Sequence, residues 1–116
     1  VHCMVHDDTG HHTQILKGLL DMCLLAIVKE GPSYGYDMVR QLSEQGLEVA
    51  GETSIYPVLR RLGKRGLIES YLQDSPSGPA RKYYRMTPAG RRLLKKWADD
   101  WQTVRNGVDD VLRDRT

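Results

Sequence analysis

The stretch that most constrains the fold runs from Gly51 to Gly66, Gly-Glu-Thr-Ser-Ile-Tyr-Pro-Val-Leu-Arg-Arg-Leu-Gly-Lys-Arg-Gly. Ile55, Val58, Leu59 and Leu62 fall at i, i+3, i+4 and i+7, which is one face of an α-helix. Arg60, Arg61, Lys64 and Arg65 occupy the side that is costly to bury, and Thr53, Ser54 and Tyr56 gather hydrogen-bonding groups at the amino end. Thr53 or Ser54 is the expected N-cap and Gly66 the expected stop. Pro57 is tolerated only where the N–H it lacks has little to bond, in the first turn, so the helix is expected to start close to Ser54. A short helix with small polar groups and a tyrosine at its N-terminus and arginines along one face suits the major groove of DNA. The same pattern also describes a solvated basic surface helix. The flanking segments decide between the two.

With 116 residues, 40% of them hydrophobic, the chain can build one compact core plus an extension. The net charge is only +2, but between Thr53 and Pro88 seven Lys/Arg face two acids, a local excess of +5. A basic surface on a near-neutral protein is an electrostatic footprint for polyanions. The best apolar run, Met22 to Val28, is too short to span a membrane, and no secretory signal is recognisable. Two cysteines, Cys3 and Cys23, make no disulfide framework, so a reducing cytoplasm is the expected compartment.

In chain order, residues 1–13 form a polar tail, expected to be flexible, that holds all four histidines (His2, His6, His11, His12) with Cys3, Asp7 and Asp8. These are metal-ligand types, but their spacing matches no standard zinc pattern and no metal site is assigned. Gln14 to Glu30 reads as one helix, apolar on two sides: Ile15, Leu19, Met22 and Ala26 on one, Leu16, Leu20, Leu24 and Ile27 on the other. So wide an arc is buried by more than one surface. One surface is the domain core; the other is a partner subunit or a ligand cavity. Cys23 sits among apolar neighbours, with nothing nearby to lower its pKa, and reads as a structural thiol.

Gly31-Pro32-Ser33 ends that helix, with Ser33 as N-cap of the next, Tyr34 to Gln45, whose apolar stripe is Tyr36, Met38, Val39 and Leu42. Two helices, a short linker and a basic third helix make a helix-turn-helix with the third as reader. Leu67 to Gln73 and Arg81 to Thr87 are β-rich runs around a loose tip, Asp74 to Ala80, which together form a hairpin wing. Arg81 and Lys82 would lie against the phosphate backbone, giving affinity rather than sequence choice. Tyr83 and Tyr84 alternate, so one packs inward and the other outward. Thr87 and Pro88 open a last helix that runs to about Arg113. Its Trp97, Trp101, Val104, Val108 and Val111 repeat with coiled-coil spacing and ask for a second chain, most simply a two-fold dimer. The expected fold is mainly α with a β-hairpin: a winged helix-turn-helix over residues 14–87 and a dimerisation helix over 88–116.

The chain resembles the PadR family of transcriptional regulators, in its short-chain branch. The residues that carry the resemblance are Leu24-Leu-Ala-Ile-Val28, Gly31-Pro-Ser-Tyr-Gly-Tyr-Asp37, Ser54-Ile-Tyr-Pro-Val-Leu-Arg-Arg-Leu62, Gly66-Leu-Ile-Glu69 and Gly78-Pro-Ala-Arg-Lys-Tyr-Tyr-Arg-Met-Thr-Pro-Ala-Gly90. The resemblance implies a winged-helix homodimer that represses genes and leaves its operator when a planar aromatic compound, or sometimes a metal, binds. Carried over by position, Ser54, Tyr56, Pro57 and Arg60 belong to the reading helix, Tyr34 and Gly35 to the start of the second helix near the backbone, and Arg81 and Lys82 to the wing; Lys64, on the same helix, is expected beside them as a phosphate contact. Trp101 falls where short-chain members place a tryptophan across the central dimer pore, which makes Trp101, Leu16, Leu19 and Cys23 the expected lining of a ligand cavity. The wing tip Ser77-Gly-Pro-Ala80 is less basic than the family's usual tip, and the His-rich N-terminus has no family counterpart.

The leading expectation is therefore a repressor that binds a pseudo-palindromic operator in double-stranded DNA as a homodimer and responds to a planar aromatic effector, with no cofactor and no membrane partner. The runner-up is a metal-responsive repressor of the same fold using the His/Cys-rich N-terminus. A protein-interaction module built on the same scaffold is a second rival. An enzyme is not expected, since the chain shows no Ser/His/Asp set, no paired carboxylates in an apolar context and no phosphate loop.

Overall fold

The computed structural model describes residues 7–49 and 51–116. In chain order these form α1 (Asp7–Lys17), α2 (Leu20–Glu30), β1 (Ser33–Tyr34), α3 (Gly35–Glu44), α4 (Glu52–Lys64), β2 (Ile68–Ser75), β3 (Gly78–Met86) and α5 (Pro88–Leu112). The architecture is mostly helical with a small antiparallel sheet, a winged helix.

The first helical segment differs from the sequence expectation at both ends. Helix begins at Asp7, inside the stretch expected to be a tail, and breaks at Gly18, where Gly18 and Leu19 donate to Ile15 O (3.2 Å) and Leu16 O (2.9 Å) in tight turns. Glycine is the poorest helix former after proline, and the chain uses it to redirect α2 relative to α1. The two apolar lines foreseen for one helix are thereby divided. Leu16, Leu20, Leu24, Leu25 and Val28 are buried, whereas Ile15 is 51% exposed.

Ser33 is not the N-cap of α3. It belongs to β1, and its hydroxyl donates to Asp37 Oδ2 (3.2 Å), while Tyr34 takes the cap position without a side-chain bond. Tyr36 points outward, leaving Met38 and Leu42 as the buried part of the stripe. In α4 the cap is Gly51 rather than Thr53 or Ser54. The Ser54 N–H and hydroxyl both donate to Gly51 O (3.1 and 2.6 Å). The helix thus starts two residues early and Pro57 lies in its second turn, where the missing N–H would have bonded Thr53 O; Thr53 is exposed, so water can serve that carbonyl. Gly66 does close α4, at φ 74°, with Leu67 N–H returning to Leu62 O (3.0 Å) and Gly66 N–H to Gly63 O (3.0 Å) in a Schellman turn.

The hairpin is longer and its tip tighter than expected. β2 and β3 pair from Ile68↔Met86 to Ser75↔Gly78, leaving Pro76 and Ser77 as the turn, and an irregularity falls between Gln73 and Ser75. β1 adds to the other side of β3 through Ser33↔Tyr84 and Tyr34↔Tyr83, giving the order β1-β3-β2.

The core gathers Leu24 and Leu25 of α2, Met38 and Leu42 of α3, Ile55, Leu59 and Leu62 of α4, Ile68 and Tyr84 of the sheet, and Leu94 of α5. Each such side chain is worth about 1.5–3 kcal/mol of burial. Thr87 caps α5 as expected: its Oγ1 accepts from Gly90 N–H (3.1 Å) and donates to Gly66 O (2.6 Å), with Pro88 in the first turn. Only the start of α5 is covered. Gly90 and Leu94 are buried and Trp97 half-buried, and every residue from Ala98 onward is exposed. Among the described residues no helix is long and apolar enough to cross a membrane.

Candidate nucleic-acid interface

Helical geometry divides Arg60, Arg61 and Lys64 of α4 and Arg65 at its C-cap into two pairs rather than one basic face. Arg61 turns back to α2, where its Nη2 donates to Asp21 Oδ1 (2.7 Å), and the Arg65 guanidinium lies 5.5 Å from the Trp97 ring centre. Arg60 and Lys64 project the other way, into a groove of about 650 Å³ between α4 and the wing. Its walls are Tyr56, Arg60, Gly63 and Lys64 from α4, and Glu69, Ser70, Lys82 and Tyr84 from the strands. Three cations thus face one carboxylate, and Glu69 is already paired with Arg85 (2.9 Å). The floor is made by Tyr84, which is the inward ring of the alternating pair at 7% exposure. Burial pushes its phenol up, against the opposing pull of the Arg60 charge. A groove with cationic walls of this kind is suited to a phosphate ridge.

A second cleft, about 350 Å³, adjoins it and is lined by Tyr34, Gly35, Tyr36, Glu52, Tyr56, Arg81 and Lys82. Tyr56 and Lys82 belong to both. Tyr56 donates to Glu52 Oε1 (2.8 Å), and that bond first, then burial, pushes its phenol up to about 12. Gly35 is buried under this pair; a Cβ there would stand 2.8 Å from Tyr56 Oη, so the start of α3 can approach α4 this closely only without a side chain. Tyr34, Gly35, Tyr56, Arg60, Lys64, Arg81 and Lys82 are therefore brought together across two adjoining clefts. Ser54 and Pro57 line neither. Ser54 has its hydroxyl committed to Gly51 O, and Pro57 is exposed on α4. Sequence reading alone missed Tyr71 and Arg85, which stack on the far side of the wing, and Asp21, the anchor of Arg61. Strand alternation was the available signal for the first two, since Arg81, Tyr83 and Arg85 must share a face.

The expected effector residues fall on two sides of Trp101. Leu19 and Trp101 line a groove of about 560 Å³ with Asp21, Met22, Trp97, Asp100 and Val104. Cys23 and Trp101 line another, about 660 Å³, with Met22, Ala26, Leu94 and Ala98. Leu16 lines neither and is buried at 4% exposure. Burial pushes the Cys23 thiol up, which keeps it protonated and unreactive. Of the expected seam, Trp97 packs half-buried against its own core, whereas Trp101, Val104, Val108 and Val111 are 37%, 55%, 50% and 57% exposed. Among the described residues no group of three or more His, Cys, Asp or Glu is placed to hold a metal ion; His2, Cys3 and His6 lie outside the described residues.

The sequence model of the Transcriptional regulator PadR-like family matches residues 24–96. The fold is similar to the crystal structure of a PadR family transcriptional regulator from Eggerthella lenta, 32% identical, covering 97% of this chain and 99% of that one at a TM-score of 0.80. It is also similar to a PadR-like transcriptional regulator from Bacillus cereus, 39% identical over 85% of this chain and 96% of that one, with a TM-score of 0.77. Uncharacterized protein X of Lysinibacillus sphaericus is 32% identical over 100 residues, 84% of this chain and 91% of its own length. The matched stretch runs from within α2 through α3, α4 and the wing to the start of α5, so the chain belongs to the PadR-like family of transcriptional regulators, DNA-binding proteins rather than enzymes.

Proposed function

We propose that the protein is a homodimeric repressor that grips a pseudo-palindromic operator with two copies of α4 and releases it when a planar aromatic compound enters beside Trp101. The observation that carries this reading is the uncovered seam Trp101, Val104, Val108 and Val111 on a helix whose other end is built into the DNA-binding domain. Covering that seam with its own two-fold copy sets the two α4 helices at a fixed separation. Two half-sites read in successive major grooves require about 34 Å between them. Arg60, Lys64 and Lys82 then face the duplex, Arg60 as the candidate for base contact and the lysines as phosphate contacts.

The aromatic effector is supported by the groove that Trp97, Trp101, Leu19 and Met22 line together with Asp21 and Asp100, a mainly apolar slot with two indoles in its wall. A compound held there acts only if it prefers a dimer spacing that misfits DNA. The test begins with selection of bound sequences from a random duplex pool. An inverted repeat with half-sites one helical turn apart is the expected result, and a single unrepeated site refutes the dimeric reader. Arg60→Ala is expected to cost about 1–3 kcal/mol and to relax one position of the repeat; uniform weakening of all sequences makes Arg60 a phosphate contact instead. For the effector, planar aromatic compounds are titrated into the protein–operator complex. Release that is lost in Trp101→Ala, with the dimer intact, supports the pore, and a complex indifferent to the whole panel refutes it.

A further inference from the structure

The face of the wing turned away from α4 carries a row of three tyrosine rings with an arginine at each end. Strand alternation puts Arg81, Tyr83 and Arg85 there, and the register sets Tyr71 and Tyr34 on either side of Tyr83. The Tyr83 ring lies 5.9 Å from Tyr71 at 27° and 5.2 Å from Tyr34 at 55°. The Arg85 guanidinium closes one end, 4.9 Å from the Tyr71 centre, and Arg81 the other, 4.6 Å from Tyr34. The two ends are not equivalent. Arg85 is neutralised by Glu69, whereas among the described residues no carboxylate pairs with Arg81. Arg81 also lines the cleft it shares with Lys82, Tyr56 and the start of α3.

We propose that Tyr34 is a positioning residue for DNA binding: its ring, fixed by Tyr83, holds the Arg81 guanidinium midway along the wing, so that this unneutralised cation meets the phosphate backbone already ordered. The inference rests on the DNA-binding reading above and adds a residue that touches the duplex only through another. An arginine ordered before binding loses less rotamer freedom on contact. A cation over the face of an aromatic ring is attracted by its quadrupole, and the planar guanidinium stacks as well. Because Tyr34 sits at the junction of β1 and α3, the same contact ties the wing to the helix-turn-helix.

The experiment is a double-mutant cycle on the full chain, with affinity for a labelled random-sequence duplex read by fluorescence anisotropy. Tyr34→Leu is expected to weaken binding about 2- to 5-fold in the parent, the scale of one exposed cation–π contact, and to have no effect in the Arg81→Gln background. Tyr34→Phe keeps the ring and is expected to bind as the parent does. Arg81→Lys, which leaves Tyr34 untouched and so does not threaten the fold, keeps the charge but not the planar stack and is expected to weaken binding about 2-fold or more. Equal losses from Tyr34→Leu in both backgrounds, a Tyr34→Phe loss as large as that of Tyr34→Leu, or an Arg81→Lys that binds like the parent each overturn the proposal. A parent chain without salt-dependent duplex binding overturns the DNA-binding reading itself, whereas a binding parent with an additive cycle overturns only the role of Tyr34.

Discussion

Replacing Gly90 by alanine is expected to destabilise the fold sharply, although alanine is the better helix former. Gly90 lies in the first turn of α5, where the helix crosses the end of the α4 turn. A Cβ built there stands 2.1 Å from Leu67 O and 3.0 Å from Leu67 C. That oxygen cannot yield, because it accepts the Thr87 N–H (3.1 Å), while Leu67 N–H closes α4 on Leu62 O (3.0 Å). Relief requires α5 to slide outward by about an ångström, which strains the Thr87 cap and loosens Leu94. Overpacking against a fixed neighbour costs about 1–3 kcal/mol or more and a weakened N-cap about 1, against about 1 kcal/mol of helix propensity regained. The net loss is about 1–3 kcal/mol, or roughly 4–20 °C in Tm for a domain of this size. Circular dichroism melts at matched protein concentration measure it. Gly107→Ala, in the same helix with nothing within 4 Å of its Cβ, is the control and is expected to gain about 0.5–1 kcal/mol. A Gly90→Ala protein that melts within about 2 °C of the parent refutes the packing argument.

Three further outcomes follow from the structure. In an ultraviolet pH titration of the tyrosines, Tyr56 is expected to ionise near 12 rather than at its ordinary value of 10, and Glu52→Gln to bring it down. Since the folded value is the raised one, the stability this phenol contributes is full below pH 10 and drains as pH climbs towards about 12; a Tyr56→Phe difference spectrum with its midpoint near 10 contradicts the Glu52 bond. Lys64→Ala is expected to reduce the salt dependence of duplex binding by about one unit of slope, whereas Arg61→Ala, whose guanidinium is engaged by Asp21, leaves the slope alone and costs at most about 1 kcal/mol of stability. An Arg61→Ala slope that falls like that of Lys64→Ala puts both on the DNA. Val108→Glu is expected to shift the protein to monomer in sedimentation velocity while leaving its helical circular dichroism largely unchanged, and a persisting dimer moves the interface off α5.

The parts of the fold that local patterning could announce are those in which one segment satisfies its own rule. The Ile55, Val58, Leu59, Leu62 series names the buried face of α4, Gly66 its end, and Thr87-Pro88 the start of α5, because periodicity, a left-handed stop and a cap are all written within a few residues. The errors lie where a distant group decides. β1 is two residues long and exists only because β3 runs beside it. Arg61 and Arg65 look like neighbours of Arg60 and Lys64 on a basic helix, and what pulls them off that face, Asp21 and Trp97, lies on other helices. Ser54 has the right chemistry for an N-cap, yet Gly51 takes the position and Ser54 donates back to it. The stacked face of the wing follows from strand alternation, but its closure by Tyr34 needed a pairing that no short window contains.

The apolar core takes its last contribution from α5 at Trp97, and the family match stops one residue earlier, at Lys96. Beyond that point every residue of the helix is exposed. On the dimer proposed above, the residues that decide whether this chain folds and what it grips are written on one stretch, and those that decide with whom it pairs on another. On that reading, substitutions in the outer half of α5 change the choice of companion without disturbing the reader, and a lineage of such regulators drifts apart into chains that no longer mix while keeping the same grip.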